Sequence, residues 1–253
     1  MRYFAELRYD GAAYCGWQRQ PDAPSVQETL ERALSALLRA PVETVGAGRT
    51  DTGVNASYYV AHFDCAEPVA DRSNFLYRLN RILPADISVS SITPVSDEAH
   101  ARFSAVEREY VYCIVRSKNP FCRRYAWHYD GHLDVEAMNE AAAMLKQFDD
   151  FTSFAKLNSA NKTNICRILR SEWSLDGDML RYTIRADRFL RNMVRAIVGT
   201  LVDVGRGRYS PAEFRDIVAS RDLSRSGGSA PAQGLFLHDI KYPEEIFSPE
   251  RIG

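Results

Sequence analysis

The chain has 253 residues, 45% of them hydrophobic, and a formal net charge of −1. This length suits one large domain or two small ones, and this composition supports a real core, which excludes a disordered chain. No run of about 18 apolar residues occurs, and residues 1–11 read as a strand rather than an apolar leader, so a cytoplasmic protein with no membrane contact is expected.

In chain order, RYFAELRY (2–9) alternates and predicts a strand. Ser25 followed three residues later by Glu28 is a capping-box signature. It opens a helix through residue 39 with Val26, Leu30, Leu34, Leu37 and Leu38 on one face. A glycine-rich loop, GAGRTDTGVNA (46–56), leads into a strand at 57–65 rich in β-branched and aromatic residues. A helix is expected at 73–83, ending before Pro84, and a strand at 87–95.

The second half opens with a strand at 108–116. A helix capped by Asp134 follows, then strands at 168–175 and 179–186 around the turn Asp176-Gly177-Asp178. The four-residue spacing of Phe189, Met193, Ile197 and Leu201 predicts one helix over 189–205. Pro211 after Ser210 starts another helix. Residues 224–234 read as a flexible loop, and 235–242 as a closing strand. The pattern gives an α+β chain of two halves, 1–105 and 106–253, with helices against largely antiparallel sheets and a polar boundary near 96–107.

The five cysteines are widely spaced, with no Cys-x-x-Cys pair. Reduced thiols are expected, with neither a zinc site nor a disulfide framework. Five of the 32 basic residues are lysines and the rest arginines, whose planar fork suits phosphates and base stacking. From Arg185 to Arg208, six arginines accompany only Asp187 and Asp203. On a continuous helix Arg188, Arg191 and Arg195 share one flank, bordering the apolar stripe.

Four stretches carry candidate chemistry. In the glycine loop, Gly46, Gly48 and Gly53 permit positive φ and close approach of another molecule. The loop is no phosphate loop, since no Gly-Lys-Ser/Thr follows. Asp51 is its only carboxylate, a candidate nucleophile or base, or else a turn residue. Arginines flanking the apolar helix suit an acidic partner or simply extend their heads to water. Tyr110 and Tyr112 share one strand face, where a tyrosine stacks on an unpaired base or packs in a core. GWQRQ (16–20) offers Trp17 for RNA contact, or is a surface turn.

Together, YDGAAYCGWQRQ (9–20), SVQETLERAL (25–34), GAGRTDTGVNA (46–56), HARFSAVEREYVY (100–112), FLRNMVRAIVGTL (189–201) and SAPAQGLFLHDIKY (229–242) resemble, in order, the TruA family of tRNA pseudouridine synthases. The resemblance implies the pseudouridine synthase fold: two ferredoxin-like halves with antiparallel sheets around a basic cleft. It implies isomerisation of uridine to pseudouridine at positions 38, 39 and 40 of the tRNA anticodon stem-loop, by a homodimer that uses no metal or cofactor. The catalytic aspartate then matches Asp51, the base-contacting tyrosine Tyr110, and the arginine that pairs with the aspartate Arg195. Arg49 matches a position used near the flipped nucleotide, and Arg188, Arg191 and Trp17 are further candidate substrate contacts. The chain departs from the family pattern at Asn55, where histidine is common, at Ala99, where phenylalanine is usual, and at Asp187-Arg188, where Gly-Asn is frequent.

The reaction breaks the N1–C1′ bond, turns the uracil and joins C5 to C1′. A carboxylate serves it by attacking C1′, by removing the 2′ proton, or by attacking C6, and the residues alone leave all three open. A non-catalytic RNA-binding module would use the same arginines and aromatics and give Asp51 only a turn role. A glycoside hydrolase would need a second carboxylate, and none lies near Asp51 in sequence.

Overall fold

A computed structural model describes residues 1–156 and 163–247. The elements run β1 (Arg2–Tyr9), α1 (Val26–Leu38), β2 (Thr44–Gly46), β3 (Asn55–Asp64), α2 (Arg72–Ile82), β4 (Ile87–Val95), β5 (Glu107–Val115), β6 (Trp127–His128), α3 (Val135–Met144), β7 (Ile168–Asp176), β8 (Met179–Ala186), α4 (Met193–Gly205), α5 (Pro211–Ser220) and β9 (Leu235–Lys241). The fold is mixed α+β with mostly antiparallel strand pairs, as expected. No helix among the described residues is long and apolar enough to cross a membrane. All five cysteines are free thiols, Cys65 and Cys166 buried and the others half-buried.

The chain divides into two compact units, Met1–Val106 with the segment from Leu237 on, and Glu107–Phe236. The expected second half ran through residue 253, whereas most of β9 groups with the first unit. Within the first unit β9 lies beside β3, far from it in sequence, a neighbourhood that chain order does not reveal.

In the first unit the strands lie in the order β4-β1-β3-β9, with β2 also paired to β3. β1 is antiparallel to both neighbours, with Leu7 opposite Tyr59 on β3 and Val89 on β4. Ser25 caps α1 by accepting from the Glu28 N–H at 3.2 Å. Helix α1 buries Val26, Leu30 and Leu34, and α2 buries Phe75 and Leu79. Asn80 stitches α2 to β4, donating to the Val89 carbonyl and accepting from the Val89 N–H, each at 2.8 Å. His62 on β3 is buried, and its Nδ1 accepts from the Ala101 N–H at 3.0 Å. Burial first, then the nearby charge of Arg2, pushes the imidazole down to about 4, so it is held neutral.

In the second unit β8 lies between β5 and β7, and β6 adds a short parallel pairing to β5. Across the three long strands Tyr112, Tyr182 and Trp173 stand in register and are buried. The turn between β7 and β8 holds Gly177 at φ +57, as the Asp-Gly-Asp pattern predicts. Helix α4 is buried along most of its length, and α5 begins in a full capping box between Ser210 and Glu213.

One expected helix is shorter than its periodicity. Phe189–Asn192 lie outside α4, which starts at Met193. Asn192 adopts the left-handed conformation, φ +65, and the Met193 N–H closes a turn on the Leu190 carbonyl at 3.1 Å. Asparagine is among the few residues that enter this region readily, so it ends the preceding turn before the helix begins.

Candidate active site

The first unit carries the carboxylate loop. β2 ends at Gly46, which pairs with Ala61, and the Ala47 N–H still reaches the Val60 carbonyl at 2.9 Å. Beyond it, Thr50 is buried and its hydroxyl is a junction: it stands 2.9 Å from the Tyr9 hydroxyl and accepts from the Trp17 N–H at 3.1 Å. The Asp51 carbonyl accepts from the Val54 N–H at 3.1 Å, closing a tight turn in which Gly53 takes φ +75. Asn55 is buried and its Oδ1 accepts from the Gly11 N–H at 2.8 Å. The residue that replaces the family's usual histidine thus ties this loop to the loop after β1.

Close approach makes the lacing tight. A Cβ on Gly11 would lie 2.0 Å from the Val54 carbonyl oxygen. A Cβ on Gly46 would lie 2.1 Å from the Tyr59 hydroxyl and 2.5 Å from the Trp17 ring. Of the three glycines in the loop, only Gly53 has positive φ; Gly46 is glycine to admit the Trp17 and Tyr59 rings. Asp51 emerges half-buried from this frame, flanked by exposed Arg49 and Thr52.

Trp17 departs from the expectation of an RNA-facing loop. It is 2% exposed and stacks on Tyr59, ring centroids 4.3 Å apart. Its indole forms the floor under the carboxylate loop, because burying so large a ring outweighs what a solvent-facing position would gain.

The second unit carries the tyrosine and arginine candidates. Tyr110 on β5 is half-buried and meets the Phe189 ring edge-on at 5.0 Å. Tyr112, two residues on, is core: its hydroxyl donates to the Pro231 carbonyl at 2.8 Å. Arg195 sits in the first turn of α4, half-buried, with its Nε donating to the Ala230 carbonyl at 2.7 Å. In return the Ala230 N–H donates to the Arg195 carbonyl at 3.0 Å.

Arg188 and Arg191 precede α4, so the shared helical flank expected for Arg188, Arg191 and Arg195 does not exist. Arg188 is half-buried, and its N–H donates to the Asp187 carboxylate at 2.7 Å. The same carboxylate accepts from the Arg167 N–H at 2.8 Å, so Asp187 organises the entry to α4. Arg191 is exposed. Among the arginines from 185 to 208, Arg185 pairs with Glu109 at 3.0 Å, and Arg206 and Arg208 pair with Asp203 at 3.3 and 3.5 Å.

Sequence reasoning missed the residues that hold these groups. Tyr9, Thr50 and Tyr59 read as strand or loop residues, and 224–234 reads as a flexible loop. Its Ser-Gly-Gly-Ser run instead lies along α4, where small residues alone fit: a Cβ on Gly199 would fall on the Gly228 carbonyl.

A family model described as tRNA pseudouridine synthase matches residues 141–243. A protein of Parabacteroides distasonis named tRNA pseudouridine synthase A is 51% identical over 249 residues, covering 98% of this chain and 99% of the relative. The chain belongs to the tRNA pseudouridine synthase A family. Relatives of the same name in Bacteroides thetaiotaomicron and Bacillus licheniformis are 53% and 40% identical, covering 98% and 96% of this chain and 93% and 99% of theirs. With members of this family alike over almost the whole chain, both the carboxylate loop and the α4 region fall within the likeness.

Proposed function

We propose that this protein is a tRNA pseudouridine synthase that isomerises uridine at positions 38, 39 and 40 of the anticodon stem-loop, working in the cytoplasm as a homodimer. The observation that carries the reading is the near full-length likeness to proteins of that name. The lacing of the Asp51 loop supports it from the physical side, since a reacting carboxylate works best on a pre-set backbone.

The target uridine leaves its stem at a cost of a few kcal/mol of stacking. Asp51 is the nucleophile: its carboxylate oxygen bonds C1′ as the N1–C1′ bond breaks, as in retaining glycosidases. The uracil anion turns and its C5 displaces the carboxylate from C1′. The C5 proton then leaves and N1 gains one, so the product is an isomer and no redox step or group donor enters. Tyr110 holds the turning base and accepts the C5 proton. Arg195 aims the Asp51 carboxylate, and Arg49, Arg188 and Arg191 hold RNA phosphates.

The reading is tested by mapping pseudouridine in tRNA from cells lacking this protein. Loss at 38, 39 and 40, restored by the wild-type gene, is the expected result. Unchanged modification at those three positions would contradict it.

A further inference from the structure

The segment Ser226–Pro231, which sequence reads as flexible, is strapped by four hydrogen bonds to α4 and to Asn192 just before it. The Gly227 N–H donates to the Thr200 hydroxyl at 2.9 Å. The Asn192 side-chain amide donates to the Ser229 hydroxyl at 2.7 Å. Ala230 exchanges two bonds with Arg195, one to its backbone carbonyl and one from its Nε. Tyr112 holds the Pro231 carbonyl from the β5 side. Gly199 and Gly227 keep the two backbones close enough for these bonds.

We infer that the Asn192–Ser229 clasp is a positioning device: it sets the register of the strap so that the Ala230 carbonyl fixes the Arg195 guanidinium. An arginine has five N–H donors in a rigid fork, and anchoring Nε on a fixed carbonyl removes the freedom of the plane. The terminal amino groups are then aimed by the strap rather than by the side chain's own rotamers. The carbonyl is set by its place along α4, and the clasp controls that place nearest the helix start. Asn192 serves twice. Its left-handed backbone begins α4, and its side chain, unused as a helix cap, reaches the strap.

The inference rests on the proposed role of Arg195, and the test separates the two. Ser229 is exposed, so Ser229→Ala removes the clasp without opening the core. Asn192→Gly removes the same bond while keeping a residue suited to positive φ. Three readouts are taken on the full chain: thermal unfolding, steady-state kinetics on tRNA carrying tritium at uracil C5, and the Arg195 Nε–H signal by nitrogen-15 NMR with its exchange rate.

For both variants the expected result is an unchanged Tm and an unchanged KM, kcat lower by about tenfold or more, and an Arg195 Nε–H that exchanges faster. Ser229→Thr, which keeps the hydroxyl, restores kcat and the slow exchange. An unchanged Nε–H signal in Ser229→Ala, or a large fall in Tm, would overturn the clasp as a positioning device. A faster-exchanging Nε–H with unchanged kcat would overturn its service to catalysis. Absence of tritium release from the wild-type protein would instead count against the functional reading, leaving the NMR result to decide the clasp alone.

Discussion

Gly16 and Thr50 approach so closely that no side chain fits between them: a Cβ on Gly16 would lie 2.1 Å from the Thr50 carbonyl oxygen. Gly16 also has φ +88, a conformation that L side chains rarely adopt. This contact fixes the loop after β1 against the residue next to Asp51. Gly16→Ala is expected to destabilise the protein by roughly 3 kcal/mol, lowering Tm by about 6–12 °C. It should also cut tritium release at temperatures where the protein stays folded. Calorimetry beside the activity assay checks both, and a wild-type Tm would show that the loops are not in contact.

Trp17 separates a structural role from a binding role. Because its ring is stacked beneath the loop, Trp17→Ala should cost about 3–5 kcal/mol of stability. The tRNA affinity of the folded variant, measured well below its Tm, should be close to wild type. A large loss of affinity with intact stability would restore the RNA-contact role that its sequence position suggests.

His62 makes the first unit sensitive to acid. Its folded value, pushed down to about 4 by burial and by Arg2, lies below the ordinary imidazole value of about 6.5. The unfolded chain therefore binds more protons across that interval, and stability falls as pH drops from about 6.5 to 4. His100, whose ring centroid is 4.8 Å from that of His62, is also lowered by burial and Arg2 and adds in the same direction. His62→Asn keeps an acceptor for the Ala101 N–H but cannot titrate. Its Tm should decline less steeply over this interval, by several degrees; an identical decline would place the acid sensitivity elsewhere.

Arg49 and Arg191 are exposed, one in each unit, and their proposed work is electrostatic. Replacing either by alanine should leave Tm within about 1 °C, as is usual at exposed positions. It should weaken tRNA binding and reduce the slope of log affinity against log salt by about one. Titrations at several salt concentrations check this, and an unchanged slope would remove the residue from the phosphate contacts.

What was legible in the sequence follows the range of the physics. Helix α1 could be read from Ser25 and Glu28, and α5 from Ser210 and Pro211, because caps, first-turn prolines and an apolar face are local properties. Asp51 stood out as a lone carboxylate among glycines. The four residues before α4 misled because Phe189 and Leu190 continue the apolar spacing while Asn192 reverses the backbone, and side-chain periodicity does not report φ. β2 is three residues long, too short for any pattern. The burial of Trp17 was not legible because its stacking partner lies 42 positions away on β3. The strap at 226–231 was illegible for a related reason. Its serines and glycines look like a linker, and only the surface of α4 reveals that they are a close fit.

The central claim is that Asp51 carries out the chemistry, and tritium release from tRNA labelled at uracil C5 by wild-type and Asp51→Asn protein tests it most directly. The account predicts that the variant unfolds at the wild-type temperature, binds tRNA with similar affinity and releases no tritium above background. Release at the wild-type rate from folded Asp51→Asn would contradict it.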